Sequence, residues 1–300
     1  MPSFNTKNVM KNRNIFFGII LTFIANLTFS QNRATEEWVT LFNGKDIADW
    51  MVKIHHYDVH DNHGETFRAE DKMIRVKYDQ YEGEFNDRFG HLYYKKPYSY
   101  FRLQMDYRFV GELHPGAPGY TILNSGVMFH SQDPRTMPVE QDWPISVEMQ
   151  FLAGINEGKP RPTGNMCSPG TEVVYKGKIY PGHCISSSSE TYYGDQWVNV
   201  ELIVLGDSLV YHLVNGDTVL QYTEPQIGGG VVNRYDPTMK QDGKLLTEGY
   251  IALQSEGQPV DFRNIRLLNL EGCMDPNALN YKDYYIKSRP LDCKYGDKNE

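Results

Sequence analysis

The chain has 300 residues, which is enough for one large domain with a small appendage. It carries 30 basic and 38 acidic residues, a formal net charge of -8, and such an acidic chain is a poor candidate for binding nucleic acid through its phosphates. With 26 Gly, 16 Pro and 21 Tyr and few apolar stretches of helical period, the composition argues against a mainly helical fold.

The N-terminus predicts a secretory signal peptide over residues 1–30. Lys7, Lys11 and Arg13 precede an apolar run from Ile15 to Phe29, and Ser30 follows it. The run is too short and too polar at its end for a transmembrane helix, so no transmembrane segment is expected in the mature chain. We therefore expect an exported protein, periplasmic or extracellular, whose net charge falls to -11 when the three basic residues are removed.

From Trp38 onward, short β-type runs alternate with turn signals such as Asn43-Gly44 and Asn215-Gly216. About a dozen such strands predict an all-β fold, a β-sandwich with long loops and most naturally a jelly roll. The predicted strands are Trp38–Phe42, Phe67–Ala69, Met73–Lys77, His91–Tyr94, Tyr100–Phe109, Gly126–His130, Ile145–Leu152, Thr171–Tyr175, Trp197–Leu205, Ser208–Val214, Thr218–Tyr222, Gly249–Gln254 and Asp261–Leu270.

Three of these runs carry polar groups at alternate positions, and side chains two apart on a strand share a face. Asn124 is then expected beside His130, Glu148 beside Gln150, and Gln254 beside Glu256. The apolar positions between them, Val127, Phe129, Val147, Met149 and Phe151, are expected in the core. This pattern predicts a cleft for a polar ligand.

Two inserts interrupt the strands. Residues 55–66 hold four histidines in a loop rich in polar residues, which is more typical of a solvent-exposed loop than of a metal site, because the spacing matches no standard zinc motif. Residues 153–192 form a long stretch containing Cys167 and His183, and a loop of that length is usually functional or disordered.

All four cysteines lie in the exported part of the chain. An even count in an oxidising compartment favours disulfides, and proximity pairs Cys167 with Cys184 and Cys273 with Cys293. A zinc site is the alternative, although no pair has Cys-x-x-Cys spacing. Residues 271–295 are predicted to form a small C-terminal module that needs its bridge, because the segment is too short to build a core.

Seven motifs occur in the order found in the 3-keto-disaccharide hydrolase family, and over residues 38–270 the chain resembles that family. They are Leu41–Asp46 followed by Trp50, Asn124–Gly126, Glu148–Gln150, Trp197, Asn215-Gly216, Ile251–Gln254 and Phe262–Ile265. The resemblance implies a concanavalin A-like jelly roll, in the same broad architecture as laminarinase-type glycosidases and legume lectins, and action on glycosides whose sugar is a ketone at C3.

The chain departs from the usual family pattern at two places. His130 and Gln132 lie where many members have Arg, and Glu256 replaces a frequent His. The insert from Cys167 to His183 resembles a longer subgroup, and the tail resembles a Cys-bounded module of secreted Bacteroidota proteins.

The Glu-x-Asp-x-x-Glu strand of laminarinase-type enzymes is absent, since the nearest run reads Glu148-Met-Gln-Phe-Leu-Ala. This disfavours direct hydrolysis by a carboxylate pair. A 3-keto sugar allows removal of the acidified C2 proton, departure of the C1 group and addition of water, which requires a base, an acid and hydrogen-bond donors.

Each candidate residue has a hypothetical role in this chemistry. Glu148 is the acid or a metal ligand, His130 or His183 is the base, and a divalent cation is a possible cofactor of unknown identity. The candidate substrate-binding residues are Asn124, Gln150, Gln254, Glu256 and Arg263, with pairing of Glu256 to Arg263 as the structural alternative. A non-catalytic lectin-like module, or a scaffold displayed through the tail, remains open, because fold does not determine function.

Overall fold

The computed structural model describes residues 35–296, so the predicted signal peptide lies outside the described residues. Within this range the chain forms two antiparallel sheets with one apolar core between them, and the predicted jelly-roll β-sandwich is confirmed. The alternation of apolar and polar residues along each strand explains the arrangement, because each sheet can bury only one of its faces.

Strands are numbered in chain order across both sheets. The larger sheet has the spatial order β11-β10-β15-β14-β13-β6-β17-β4-β3, with β1 on β17. Its members are β1 (Val39–Thr40), β3 (Phe67–Glu70), β4 (Met73–Val76), β6 (Tyr100–Phe109), β10 (Thr171–Tyr175), β11 (Lys178–Ile179), β13 (Val198–Leu205), β14 (Leu209–Val214), β15 (Asp217–Ile227) and β17 (Val260–Asn269).

The smaller sheet has the order β12-β9-β8-β7-β16-β5-β2 and carries the candidate site on its outer face. Its members are β2 (Trp50–Ile54), β5 (Gly90–Tyr94), β7 (Asn124–Ser131), β8 (Val147–Leu152), β9 (Asn165–Cys167), β12 (Cys184–Ile185) and β16 (Tyr250–Ser255). Short 3₁₀ turns lie at His63–Glu65, Gly119–Thr121, Pro134–Thr136, Pro237–Met239 and Pro290–Asp292.

The five apolar positions predicted to fill the core are all buried. The two sheets meet, for example, where the Tyr107 ring of β6 stacks on the Phe151 ring of β8 with centroids 4.4 Å apart. The side chain at every second position of β7 and β8 therefore points to the opposite, outer face, where the polar residues gather.

For one residue of β7, His130, the alternation of side chains predicts the wrong face of the sheet. His130 has a φ of 48°, and the pairing of β16 with β7 slips between Tyr250 and Ala252, which marks a β-bulge. Gly249 permits the bulge, because an added Cβ would lie 2.4 Å from the carbonyl carbon of His130. The extra residue reverses the alternation, so that His130 points away from Asn124.

Several strands escaped prediction because their sequence signals are weak. β2 follows a turn directly. β9 and β12 are short pieces of the long insert: β9 pairs with β8, and β12 pairs with β9. In β12, Cys184 lies opposite Cys167, and the register explains how a segment without strand pattern adds to the sheet edge.

Both predicted disulfides are present, Cys167–Cys184 and Cys273–Cys293. Downstream of β17 the chain forms a small parallel pair, β18 (Glu271–Gly272) with β19 (Lys287–Ser288). The Ile286 amide donates to the carbonyl of Leu270 at 2.8 Å. That residues 271–295 form a separate module stays a prediction.

Candidate active site

A pocket of about 320 Å³ opens on the outer face of the smaller sheet. It is built by β7, β8, β9 and β16 together with the insert that follows β8. The lining residues are Tyr120, Asn124, Trp143, Glu148, Gln150, Leu152, Arg161, Cys167, Pro169, His183, Cys184, Val231, Gln254 and Glu256. Six of the eight candidate catalytic and substrate-binding residues are thus brought to one place.

Glu148 lies on the floor of the pocket and is 5 % exposed. Glu148 pairs with Met128 on the neighbouring strand β7. The Glu148 side chain lies over Gly126, where an added Cβ would be 2.4 Å from Glu148 Oε1. Burial raises the pKa of the Glu148 carboxyl, because the charged form loses its hydration. Gly126 leaves the space that the Glu148 carboxyl occupies.

Glu256 is the second acid of the pocket and follows directly on β16. It is 3 % exposed, and Asn124 Nδ2 donates to its Oε2 at 3.3 Å. Burial raises the pKa of Glu256 well above its usual value, and the negative charge of Glu148 raises it further. Two buried like charges disfavour each other, so the pair retains a proton at pH values where isolated carboxyls would be ionised.

Unpartnered polar atoms mark this floor. Glu148 Oε1, Gln254 Oε1 and Asn124 Oδ1 are buried without a hydrogen-bond partner. Buried polar atoms are normally satisfied, so a group of them lining one cavity indicates a binding surface for a polar ligand.

His91 extends the row of polar residues and was missed by the sequence-based prediction. It is the direct strand neighbour of Gln254, its ring lies edge-on 5.7 Å from Trp143, and its buried Nε2 has no partner. Burial, and then the charge of Lys53, lowers the pKa of His91 to about 3. Its only signal in the sequence is a histidine within a strand that is otherwise apolar.

Gln150 and His183 form the wall on the insert side. Asn165 Nδ2 donates to Gln150 Oε1 at 3.0 Å, which fixes the carboxamide. His183 is exposed, and the amide and hydroxyl of Ser168 both donate to its carbonyl at 3.0 Å. Neighbouring atoms exclude enough water from the imidazole to lower its pKa below the usual 6.5.

Arg161 and two aromatic residues were also missed. The Arg161 guanidinium donates to the carbonyls of Leu123, Ala153 and Ile122 and so ties the insert to β7. Tyr120 is 60 % exposed, and Trp143, which also packs against the core, lines the cavity. Aromatic faces beside polar groups in one cavity offer apolar contact to a ligand that the polar groups orient.

Two candidates lie elsewhere, and their predicted site roles are corrected. His130 is 1 % exposed; its Nε2 contacts the Gly206 carbonyl at 2.9 Å, and burial lowers its pKa to about 4. Arg263 stacks on Trp197 at 3.8 Å and donates to Asp106 at 3.1 Å on the outer face of the larger sheet. The prediction for His130 failed because of the bulge in β7. The prediction for Arg263 failed because β17 belongs to the larger sheet.

The unpartnered oxygens of the floor are of the chemical type that binds a divalent cation. Carboxylate and carboxamide oxygens are the ligands that Mg²⁺, Ca²⁺ and Mn²⁺ prefer. Glu148, Gln254 and Asn124 each offer such an oxygen. The Cys167, His183 and Cys184 group offers no metal site, since both sulfurs are in the disulfide.

Comparison with protein families gives one match. The family model of the 3-keto-alpha-glucoside-1,2-lyase-like domain matches residues 37–268, which is most of the chain. The chain belongs to this family. The resemblance inferred from the seven motifs is confirmed, and a carbohydrate-related domain is established.

Solved structures resemble the chain only distantly. A putative glycosyl hydrolase from Parabacteroides distasonis is 18 % identical over 78 % of this chain and 94 % of its own, with a TM-score of 0.46. The carbohydrate-binding module CBM66 from Bacillus subtilis is 10 % identical over 74 % of this chain and 96 % of its own, with a TM-score of 0.43. The VIP36 exoplasmic/lumenal domain is 10 % identical over 80 % of this chain and 93 % of its own, with a TM-score of 0.45.

A comparison with curated proteins finds no match to the chain. Among residues 35–296, no helix has the length and the apolar character needed to cross a membrane.

Proposed function

We propose that this protein is an exported enzyme that cleaves glycosides whose sugar is oxidised to a ketone at C3. The observation that carries the proposal is the pair Glu148 and Glu256, buried together on the floor of a pocket with unpartnered oxygens beside them. Acids and bases with a pKa moved toward neutrality are what proton abstraction next to a carbonyl requires.

In this proposal the two carboxyl groups divide the acid and base roles. One of them is ionised and accepts the proton from C2, while electrons of the C2–H bond form the C1=C2 double bond and the C1–O bond breaks. The other is protonated and donates its proton to the departing oxygen. Water then adds across the double bond to give the free keto sugar.

The remaining residues of the pocket position the substrate. The amides of Gln254, Gln150 and Asn124 are placed to hydrogen-bond sugar oxygens, and Tyr120 and Trp143 offer apolar faces to the ring. A divalent cation, when bound, would polarise the ketone oxygen and stabilise the enolate. His183, on the insert wall, is placed to hydrogen-bond the group that departs from C1.

Export is part of the proposal. Two disulfides in one chain are typical of an oxidising compartment, and the basic and apolar N-terminus has the pattern of a signal peptide.

The test is turnover of a 3-keto-disaccharide by the mature protein in D₂O, with and without a chelator. We expect released sugar that carries deuterium at C2, none from the unoxidised disaccharide, and slower release with the chelator. The Glu148→Gln variant should lose at least about a hundredfold in rate, the usual contribution of a general acid or base.

The matched control is Arg263→Lys, which lies on the other sheet and should retain full turnover. Full turnover by Glu148→Gln would overturn the proposal. Saturable sugar binding without product would instead establish the lectin-like alternative.

A further inference from the structure

Three side chains that can bind a metal meet on the surface, outside the lining of the pocket. One ligand atom each from His55, His56 and Glu140 lies within 4.8 Å of the others. His55 and His56 follow β2 directly, and Glu140 comes from the loop between β7 and β8. The sequence contained the histidine pair, but the acid that joins it is more than 80 residues away.

The distance between two of these ligands already suits a zinc ion. His56 Nδ1 lies 3.1 Å from Glu140 Oε2. In a tetrahedral site with bonds of about 2.0–2.1 Å, neighbouring ligand atoms are about 3.3 Å apart. Only the third ligand needs to approach for the three atoms to surround one ion.

That third ligand is oriented as metal-binding histidines are. His55 Nδ1 lies 2.9 Å from the carbonyl of Asp87. A carbonyl only accepts, so Nδ1 carries the proton and Nε2 keeps its lone pair for a metal. A backbone carbonyl on the far nitrogen is the usual partner that holds a metal-ligating histidine in position.

The backbone that presents the three groups is anchored. The His56 amide donates to the carbonyl of Val139 at 3.0 Å, and the buried Lys53 Nζ donates to the same carbonyl at 3.3 Å. The His55 and His56 rings stack with centroids 3.7 Å apart. The two loops are therefore joined before any metal arrives, and binding requires the stacked imidazoles to rotate so that one ion lies in the plane of both rings.

We propose that His55, His56 and Glu140 form a binding site for Zn²⁺ or a similar transition-metal ion, with water in the remaining position. Two imidazoles and one carboxylate are a donor set that zinc accepts. Glu140 lies three residues before Trp143, so the ion would hold in place the loop that carries an aromatic wall of the pocket. The site is independent of the chemistry proposed for Glu148 and Glu256.

The test is calorimetric titration of Zn²⁺ into the mature, tag-free protein after chelator treatment and dialysis. We use the Glu148→Gln background, which removes one of the two pocket carboxylates that could compete for the ion. One ion per chain is expected, together with a rise in Tm. His55→Gln and Glu140→Gln should each weaken binding by at least about tenfold.

The matched control is His60→Asn, which removes an exposed histidine of the same loop that lies outside the cluster. Asn tolerates the positive φ of 76° at this position, and zinc binding should be unchanged. His56→Asn, also at a φ of 76°, gives a third variant that folds without strain. Absence of saturable binding, or equal binding by all variants, would overturn the proposal and leave a hydrogen-bonded His56–Glu140 pair.

Discussion

At the scale of single residues, the site is defined by buried acids and by the space left for them. Glu148 and Glu256 are largely buried on the pocket floor, and both have a raised pKa. A group whose folded pKa is raised stabilises the fold below its unfolded pKa, near 4.5, and this contribution is lost as the pH rises through the folded value. The pair therefore destabilises the protein at neutral pH.

The substitution Glu148→Gln should consequently raise the free energy of unfolding at pH 7.5, by on the order of 1 kcal/mol. Removing one charge also relieves Glu256. The gain should shrink toward zero at pH 4, where both carboxyls are largely protonated in either state. Urea unfolding at the two pH values measures this, and an equal gain at both would contradict the electrostatic explanation.

Gly126→Ala tests the space around Glu148. The new Cβ would lie 2.4 Å from Glu148 Oε1 and 2.9 Å from its Cγ, so the carboxyl must move. We expect turnover to fall by at least about tenfold, because small displacements of a reacting group are costly, while stability falls by no more than about 2 kcal/mol. The control is Gly119→Ala, whose Cβ would meet nothing within 4 Å.

At the scale of secondary-structure elements, the bulge in β7 separates structural from functional polar residues. His130 turns inward and contacts the Gly206 carbonyl between β13 and β14, which links the sheets. We expect His130→Gln to lower stability by about 1 kcal/mol or more but to leave kcat within about twofold. A hundredfold drop in kcat in a folded variant would restore the catalytic role expected from strand alternation.

The two disulfides should differ in their effect on function. Cys167–Cys184 joins β9 to β12 at the pocket wall beside His183, whereas Cys273–Cys293 lies in the tail. Replacing the first pair with alanines should cost about 3 kcal/mol of stability and most of kcat/KM. Replacing the second should leave kcat/KM unchanged, and equal losses in activity would contradict this assignment.

At the scale of the whole molecule, we expect buried histidines to limit stability in acid. Burial lowers the pKa of His91 to about 3 and those of His130 and His212 to about 4. The unfolded chain binds protons at these sites near pH 6.5 and the folded chain does not, so stability falls as the pH drops from 6.5 to 4. The raised carboxyls act in the opposite direction, but only above pH 4.5.

His212→Gln should therefore flatten the acid side of the stability profile. Each such histidine contributes up to about 3 kcal/mol to the loss between pH 6.5 and 4. Thermal unfolding at half-unit steps of pH measures the slope. An unchanged slope in the variant would show that His212 is not responsible.

The sequence by itself determined the fold class, the core positions, both disulfides, and the gathering of Asn124, Gln150 and Gln254 around Glu148. These features follow from local alternation, cysteine spacing and ordered motifs, all of which can be read along the chain. Only the tertiary structure decided that His130 leaves the site and that His91 lies beside Gln254. The same holds for the meeting of Glu140 with His55 and His56. A bulge reverses side-chain direction without a clear signal in the residues, and contacts between distant strands depend on register, which no local pattern records.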